Sequence, residues 1–191
     1  MKTIEINAAD MAGRIARYKD LDPIPIQQDD EIPIEIHDLV YAREILSVIG
    51  LESADATPIS VGAPIVGAGQ MTMSIARCPP GQGPGLHAHN NTYETFTVLK
   101  GTFEVTWNDD GAERAVLEKF DTISVPPRVC RAFRNVGEDD AVLQVIITGG
   151  VHDMTDIDVV PETGKKIEAA GLMHKFEAIG LTFTASKNAA E

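Results

Sequence analysis

The chain has 191 residues, 43% of them hydrophobic, 5% aromatic and 24% charged, with a formal net charge of −13. That length and apolar fraction suit one folded globular domain with attached arms, not a disordered chain. The excess of acids argues against nucleic-acid backbones and anionic lipid as partners, and no apolar run approaches the roughly 18 residues that span a bilayer.

The acidity is uneven: residues 1–60 hold 12 acids and 5 bases, residues 61–150 hold 10 and 7, and residues 151–191 hold 7 and 4. The opening MKTIEINAADMAGR has early acids and no apolar core of the signal-peptide type. With that opening, Cys78 and Cys130 are expected as reduced thiols in the cytoplasm.

Residues 1–69 read as an N-terminal arm and linker. Asn7 is a cap for a helix over Ala8–Lys19, with Met11, Ile15 and Tyr18 on one face. Prolines 23, 25 and 33 then oppose a helix, while isoleucines 24, 26, 32, 34 and 36 alternate as in an edge strand or extended arm. Asp38 and Gly50 are suitable bounds for a second helix over Leu39–Ile49. Residues 52–69 are small and Gly-rich and read as a linker.

From residue 70 to 150 the pattern is all β. MTMSIAR, ETFTVLKG, TFEVTW, DTISVP, CRAFRN and AVLQVIIT are short β-branched and aromatic stretches, separated by CPPGQGPG, NDDG and VGEDD. Asn108–Gly111 has the composition of a hairpin tip. Six such stretches without an intervening helix predict an antiparallel sandwich or barrel. Residues 151–191 read as a C-terminal extension packed on it, with a short helix from Pro161 to Ala170 stopped by Gly171. HKFEAIGLTFTA is ambiguous between strand and helix, and SKNAAE reads as a frayed tail.

The chemistry concentrates in GQGPGLHAHNNTYETFTVLKG. His87 and His89 are two apart, so on a strand both side chains project from one face, and Glu94 follows after a short polar turn. Two imidazoles and a carboxylate form a donor set that Fe, Mn, Ni, Zn or Cu accepts. Here the sequence resembles the cupin superfamily. Gly81, His87, His89, Glu94 and Gly101 match every position of that family's first motif. Phe120–Asn135 aligns with the second through Pro126 and Asn135, after an intermotif stretch of 18 residues. The resemblance covers residues 70–150 and implies a double-stranded β-helix, or jelly-roll barrel, with a metal on His87, His89 and Glu94.

The departures bear on function. Metal-binding members usually take a further histidine from the second motif, and that position is Arg131; Phe120 and Arg128 replace the motif's two glycines. A guanidinium has donors only and a permanent charge, so it cannot ligate a cation. At about 5 Å it would repel a divalent ion by roughly 6–7 kcal/mol at an effective dielectric of about 20, before relaxation. Two outcomes stay open. In one, a metal sits on the two histidines and the carboxylate, and Arg131 clamps an anionic substrate. In the other, Arg131 pairs with Glu94, and the metal-free pocket binds or senses a metabolite.

Phe133 shares the face of Arg131 and is expected to line the interior; Arg77, at a strand end, is a candidate for the pocket mouth. Tyr93, Cys130 and Arg134 alternate away from the site, and Met71, Met73 and Ile75 read as core. His37, His152, Asp153 and His174 have no evident partner, and solvated roles are the simpler reading for those outside the motif. The expected function is binding of a small, anionic organic molecule, either by a metal-dependent enzyme (dioxygenase, isomerase, lyase or cyclase) or by a non-catalytic module. The apolar faces of the isoleucine-rich arm either cover the barrel's outer face or cross to a partner subunit by strand addition, and a homodimer is expected on that basis.

Overall fold

The computed structural model describes residues 1–52, 61–149 and 155–187. His152, Asp153, residues 53–60 of the expected linker and the tail from residue 188 lie outside the described residues. The fold is a jelly-roll barrel of two facing sheets. Its strands are β1 (Glu44–Gly50), β2 (Ile65–Val66), β3 (Thr72–Cys78), β4 (His87–His89), β5 (Tyr93–Lys100), β6 (Phe103–Trp107), β7 (Glu113–Leu117), β8 (Thr122–Val125), β9 (Arg131–Asn135), β10 (Ala141–Thr148) and β11 (Ile157–Val159). One sheet runs β2-β1-β3-β10-β5-β8 and the other β11-β4-β9-β6-β7.

Strand β10 shows why the sequence folds this way. Its residues alternate strictly between buried and half-buried, so Leu143, Val145 and Ile147 enter the barrel while Val142 and Ile146 face outward. They meet Phe96 and Val98 of β5 and Phe103, Val105 and Phe133 from the facing sheet. Phe133 stands edge-on to Phe96 and Phe103, with ring centroids 5.0 and 5.9 Å away.

The N-terminal segment departs from the sequence reading. Helix α1 covers only Ala8–Ala12; Asn7 does cap it, but Gly13 ends it and none of its residues is buried. The alternating isoleucines do not form a strand. Pro25 opens a 3-10 turn over Pro25–Gln28, and Pro33 caps helix α2 (Ile34–Val40), a position where the missing N–H costs nothing. The helix expected over Leu39–Ile49 is instead strand β1, paired with β3 from Glu44–Arg77 to Ile49–Met73. Its apolar residues fit either period, and pairing with an open sheet edge decides the outcome.

The C-terminal extension follows the sequence more closely. Helix α3 spans Pro161–Ala169 and ends before Gly171, whose φ is +74°. Helix α4 (Met173–Glu177) then turns the chain back, and the ambiguous stretch becomes partly helical and partly extended. Asp158 holds that return, accepting from the Thr182 and Thr184 hydroxyls and the Thr184 N–H. Phe176, Ile167, Leu181 and Val159 pack with Ile24, Ile32 and Val40 into one cluster, so the two flanks of the chain share a core.

The second-motif loop keeps a glycine backbone without glycines. Phe120 and Arg128 have φ of +77° and +64°, and both side chains are exposed. A left-handed conformation costs an ordinary residue about 1 kcal/mol relative to glycine. Phe120→Gly and Arg128→Gly are therefore each expected to raise stability by about 0.5–1 kcal/mol in urea unfolding; a loss of that size at both positions would contradict the strain.

Candidate metal centre

The loop before β4 sets the histidines. A Cβ on Gly83 would sit 1.8 Å from the Phe133 carbonyl oxygen, so only glycine lets this loop lie against β9. The chain then enters β4, where alternation turns His87 and His89 inward and Ala88 outward onto Cys130 and Ala185. Glu94 comes from β5 in the opposite sheet. The cluster therefore bridges both sheets.

The three side chains converge within the barrel. His87 Nε2 lies 3.4 Å and His89 Nε2 3.5 Å from Glu94 Oε2, and one donor atom from each residue falls within 4.8 Å of the others. All three residues are buried, and among the described residues no donor hydrogen-bonds Glu94 Oε2. The far nitrogens are committed elsewhere. His87 Nδ1 is 2.9 Å from the Gly85 carbonyl, and His89 Nδ1 is 3.0 Å from Asp156 Oδ2. Those contacts fix the orientation of each ring and turn both Nε2 atoms toward the carboxylate. A tetrahedral ion with bonds of about 2.0–2.1 Å holds its donors roughly 3.4 Å apart, which is the separation of each Nε2 from Glu94 Oε2, and two imidazoles with a carboxylate are a donor set that first-row divalent metals accept.

Asp156 and Thr92 are site residues that the sequence did not reveal. Asp156 lies just before β11, which pairs Ile157 with His89 and Val159 with His87. Its carboxylate accepts from His89, from the Thr92 hydroxyl at 2.6 Å and from the Asn91 N–H at 2.7 Å. Burial pushes its carboxyl up, but these hydrogen bonds outweigh that and hold it at about 2. Glu94 behaves alike: burial raises it, while His89, His87 and Arg131 bring it down to about 2.

Arg131 is wholly buried and sits directly across the ladder from His87. Its Nε lies 3.6 Å from Glu94 Oε2, and its Nη2 donates to the Val125 and Pro126 carbonyls at 3.4 and 3.1 Å. It does not line the pocket beside the histidines. Phe133 does line it, as the sequence suggested. Arg77 does not reach the mouth. It shares the outward face of Met73 and Ile75, where its guanidinium pairs with Glu44 at 2.6 Å, because the pocket face of β3 carries Ser74 and Ala76. Cys130 is a buried free thiol, raised to about 11 chiefly by burial. Tyr93 and Arg134 are exposed, and among the described residues no helix is long and apolar enough to cross a membrane.

Comparison with known proteins agrees with this architecture. Residues 74–147 match the Cupin domain family. Among solved structures, a DMSP lyase is similar at 17% identity and a TM-score of 0.44, over 56% of this chain and 47% of that one, about half its length. The Cnp3 cupin domain of Schizosaccharomyces pombe is similar at 16% identity and a TM-score of 0.42, over 56% and 61%. A predicted oxalate decarboxylase from Thermotoga maritima is similar at 20% identity and a TM-score of 0.38, over 41% and 66%. No curated protein sequence matches the chain. Residues 74–147 are a cupin domain.

Proposed function

We propose that the barrel is a metal-dependent enzyme acting on a small organic molecule, with a divalent transition metal (Fe, Mn, Ni, Zn or Cu) held by His87, His89 and Glu94. The observation that carries this reading is the pair of imidazoles whose Nδ1 atoms are tied to Gly85 and Asp156 while both Nε2 atoms face an oxygen with no hydrogen-bond donor among the described residues. Such a metal supplies a Lewis acid for a substrate oxygen, and reactions of the dioxygenase, isomerase, lyase and cyclase classes share that need. The chain's own residues orient and insulate. Asp156 and Thr92 fix the plane of the His89 ring, and the apolar walls exclude water. Arg131 keeps Glu94 ionised from behind, and its bulk stands where a further ligand would come from.

The second reading, a metal-free binding or sensing module, rests on that same Arg131–Glu94 approach of 3.6 Å. Elemental analysis separates the two. Protein incubated with each of the five metals is expected to hold close to one equivalent of at least one, and His87→Ala is expected to abolish it. Protein that stays metal-free throughout would leave only the binding-module reading.

Asp156 offers a finer test, because its role is to position a ligand. Asp156→Asn keeps an oxygen for the His89 N–H but loses the charge, and is expected to weaken metal binding about 10–100-fold by calorimetry with the fold intact. An unchanged affinity would remove Asp156 from the centre.

The reading also includes a homodimer. Residues 1–19 carry four bases and two acids on an otherwise strongly acidic chain, and Ile4, Ile6, Met11, Ile15 and Tyr18 are exposed along them. A second copy's acidic surface is the complement of this segment. Removing residues 1–19 leaves the packed region from Leu21 onward in place and is expected to yield monomer by size-exclusion chromatography coupled to light scattering. A truncated protein that remains dimeric would place the interface elsewhere.

A further inference from the structure

Apart from the three metal-site residues, the pocket wall is almost entirely apolar. The barrel contributes Ala76, Phe133, Val145 and Ile147, and the flanking segments contribute Ile45 and Leu181 among others. The remaining polar groups in the wall are the hydroxyls of Ser74 and Tyr41, and burial raises the Tyr41 phenol so that it stays neutral. Among the described residues no lysine or arginine lines this space. The two arginines with the right placement in sequence both lie outside this wall, although Nε and Nη1 of Arg131 have no hydrogen-bond partner among the described residues. Arg131 lies against Glu94 and the Val125 and Pro126 carbonyls, and Arg77 pairs with Glu44 on the outer face.

A ligand in this pocket therefore finds one charged anchor, the His87–His89–Glu94 end, and among the described residues a wall that is otherwise hydrocarbon apart from the neutral Ser74 and Tyr41 side chains. We infer that the pocket takes a compact, single-headed molecule, with one oxygen-bearing group directed at the triad and a neutral hydrocarbon body along the wall. A second charged group on the same molecule would be buried without a partner, a penalty that hydrocarbon contacts do not offset. This class differs from the one Arg131 suggests in the sequence, where a cation in the wall would favour an anion clamped away from the metal. The anchoring of the head group rests on the metal reading above; the exclusion of a second charge rests on the wall alone.

Hexanoate, adipate and hexan-2-one separate these dependencies, since the two acids share a chain length and differ by one terminal carboxylate. Isothermal titration is run on the full chain after loading with zinc and again after chelation, with zinc content measured in each sample. The expected result is at least tenfold tighter binding of hexanoate than of adipate to the zinc-loaded protein. If the chain takes up none of the five metals but hexan-2-one still binds at least tenfold more tightly than adipate, the metal reading fails and the single-headed pocket stands. Adipate binding as tightly as hexanoate, or no binding of any of the three, overturns the proposal. Ile45→Arg adds a cation at a half-buried wall position and is expected to narrow or reverse the gap between the two acids; a folded variant with an unchanged gap counts against the wall assignment. The ranking on the native protein decides the proposal whether or not that variant folds.

Discussion

The rest of the site depends on one buried negative charge. Glu94 is 6% exposed, lies between two sheets and receives no hydrogen bond at Oε2 among the described residues. An ionised carboxylate so placed is costly unless positive charge or donors surround it. Two imidazole edges reach it from the facing sheet and a guanidinium lies beside it, and together they hold its carboxyl at about 2 despite burial. With neutral imidazoles, Glu94, Asp156 and Arg131 sum to a single negative charge. That net charge favours a cation at the point where the three side chains converge.

Arg131 changes the balance of that cluster more than its composition. A histidine there would add a neutral donor; the arginine adds a charge that stabilises ionised Glu94 and opposes a divalent ion. Its position is fixed by backbone carbonyls on the β8–β9 connection, where Arg128 keeps a left-handed backbone in place of a glycine. The chain therefore departs from the family motif on both sides of β8, with Phe120 and Arg128 each at a positive φ. The path of the β8–β9 connection is what delivers Arg131 behind Glu94 instead of into the pocket.

The motif residues were legible in the sequence because their geometry is local. His87 and His89 share a face through strand alternation alone, and Glu94 follows within one turn, so spacing was enough to group them. The same alternation correctly turned Phe133 inward and Tyr93 outward. It also assigned Arg77 to the face of Met73 and Ile75, but no local pattern told which face of β3 was the pocket; Ser74 and Ala76 hold that side. Asp156 was illegible for a stronger reason. Its bond to His89 joins residues 67 apart and exists only because β11 pairs with β4. Strand β1 was misread because EILSVIG fits a buried helix as well as a strand until an open edge of β3 is available to pair with it.

The flanks do more than cover the barrel. Strand β11 supplies the His89 acceptor through Asp156 and places Val159 across from His87, so the C-terminal extension holds both the plane of a ring and part of the pocket wall. The N-terminal segment reaches the same pocket through Val40 and Ile45, and these flanks meet in a shared apolar cluster that includes Val40, Val159 and Leu181. A change in that cluster displaces wall and ligand support together, since the residues that shape the pocket are continuous with the strand that orients the histidine. In this chain the motif supplies the converging donor atoms, and the flanking segments complete the wall beside them. Ala76, Phe133, Val145 and Ile147 form the barrel's share of that wall, so residues inside and outside 74–147 shape the space together.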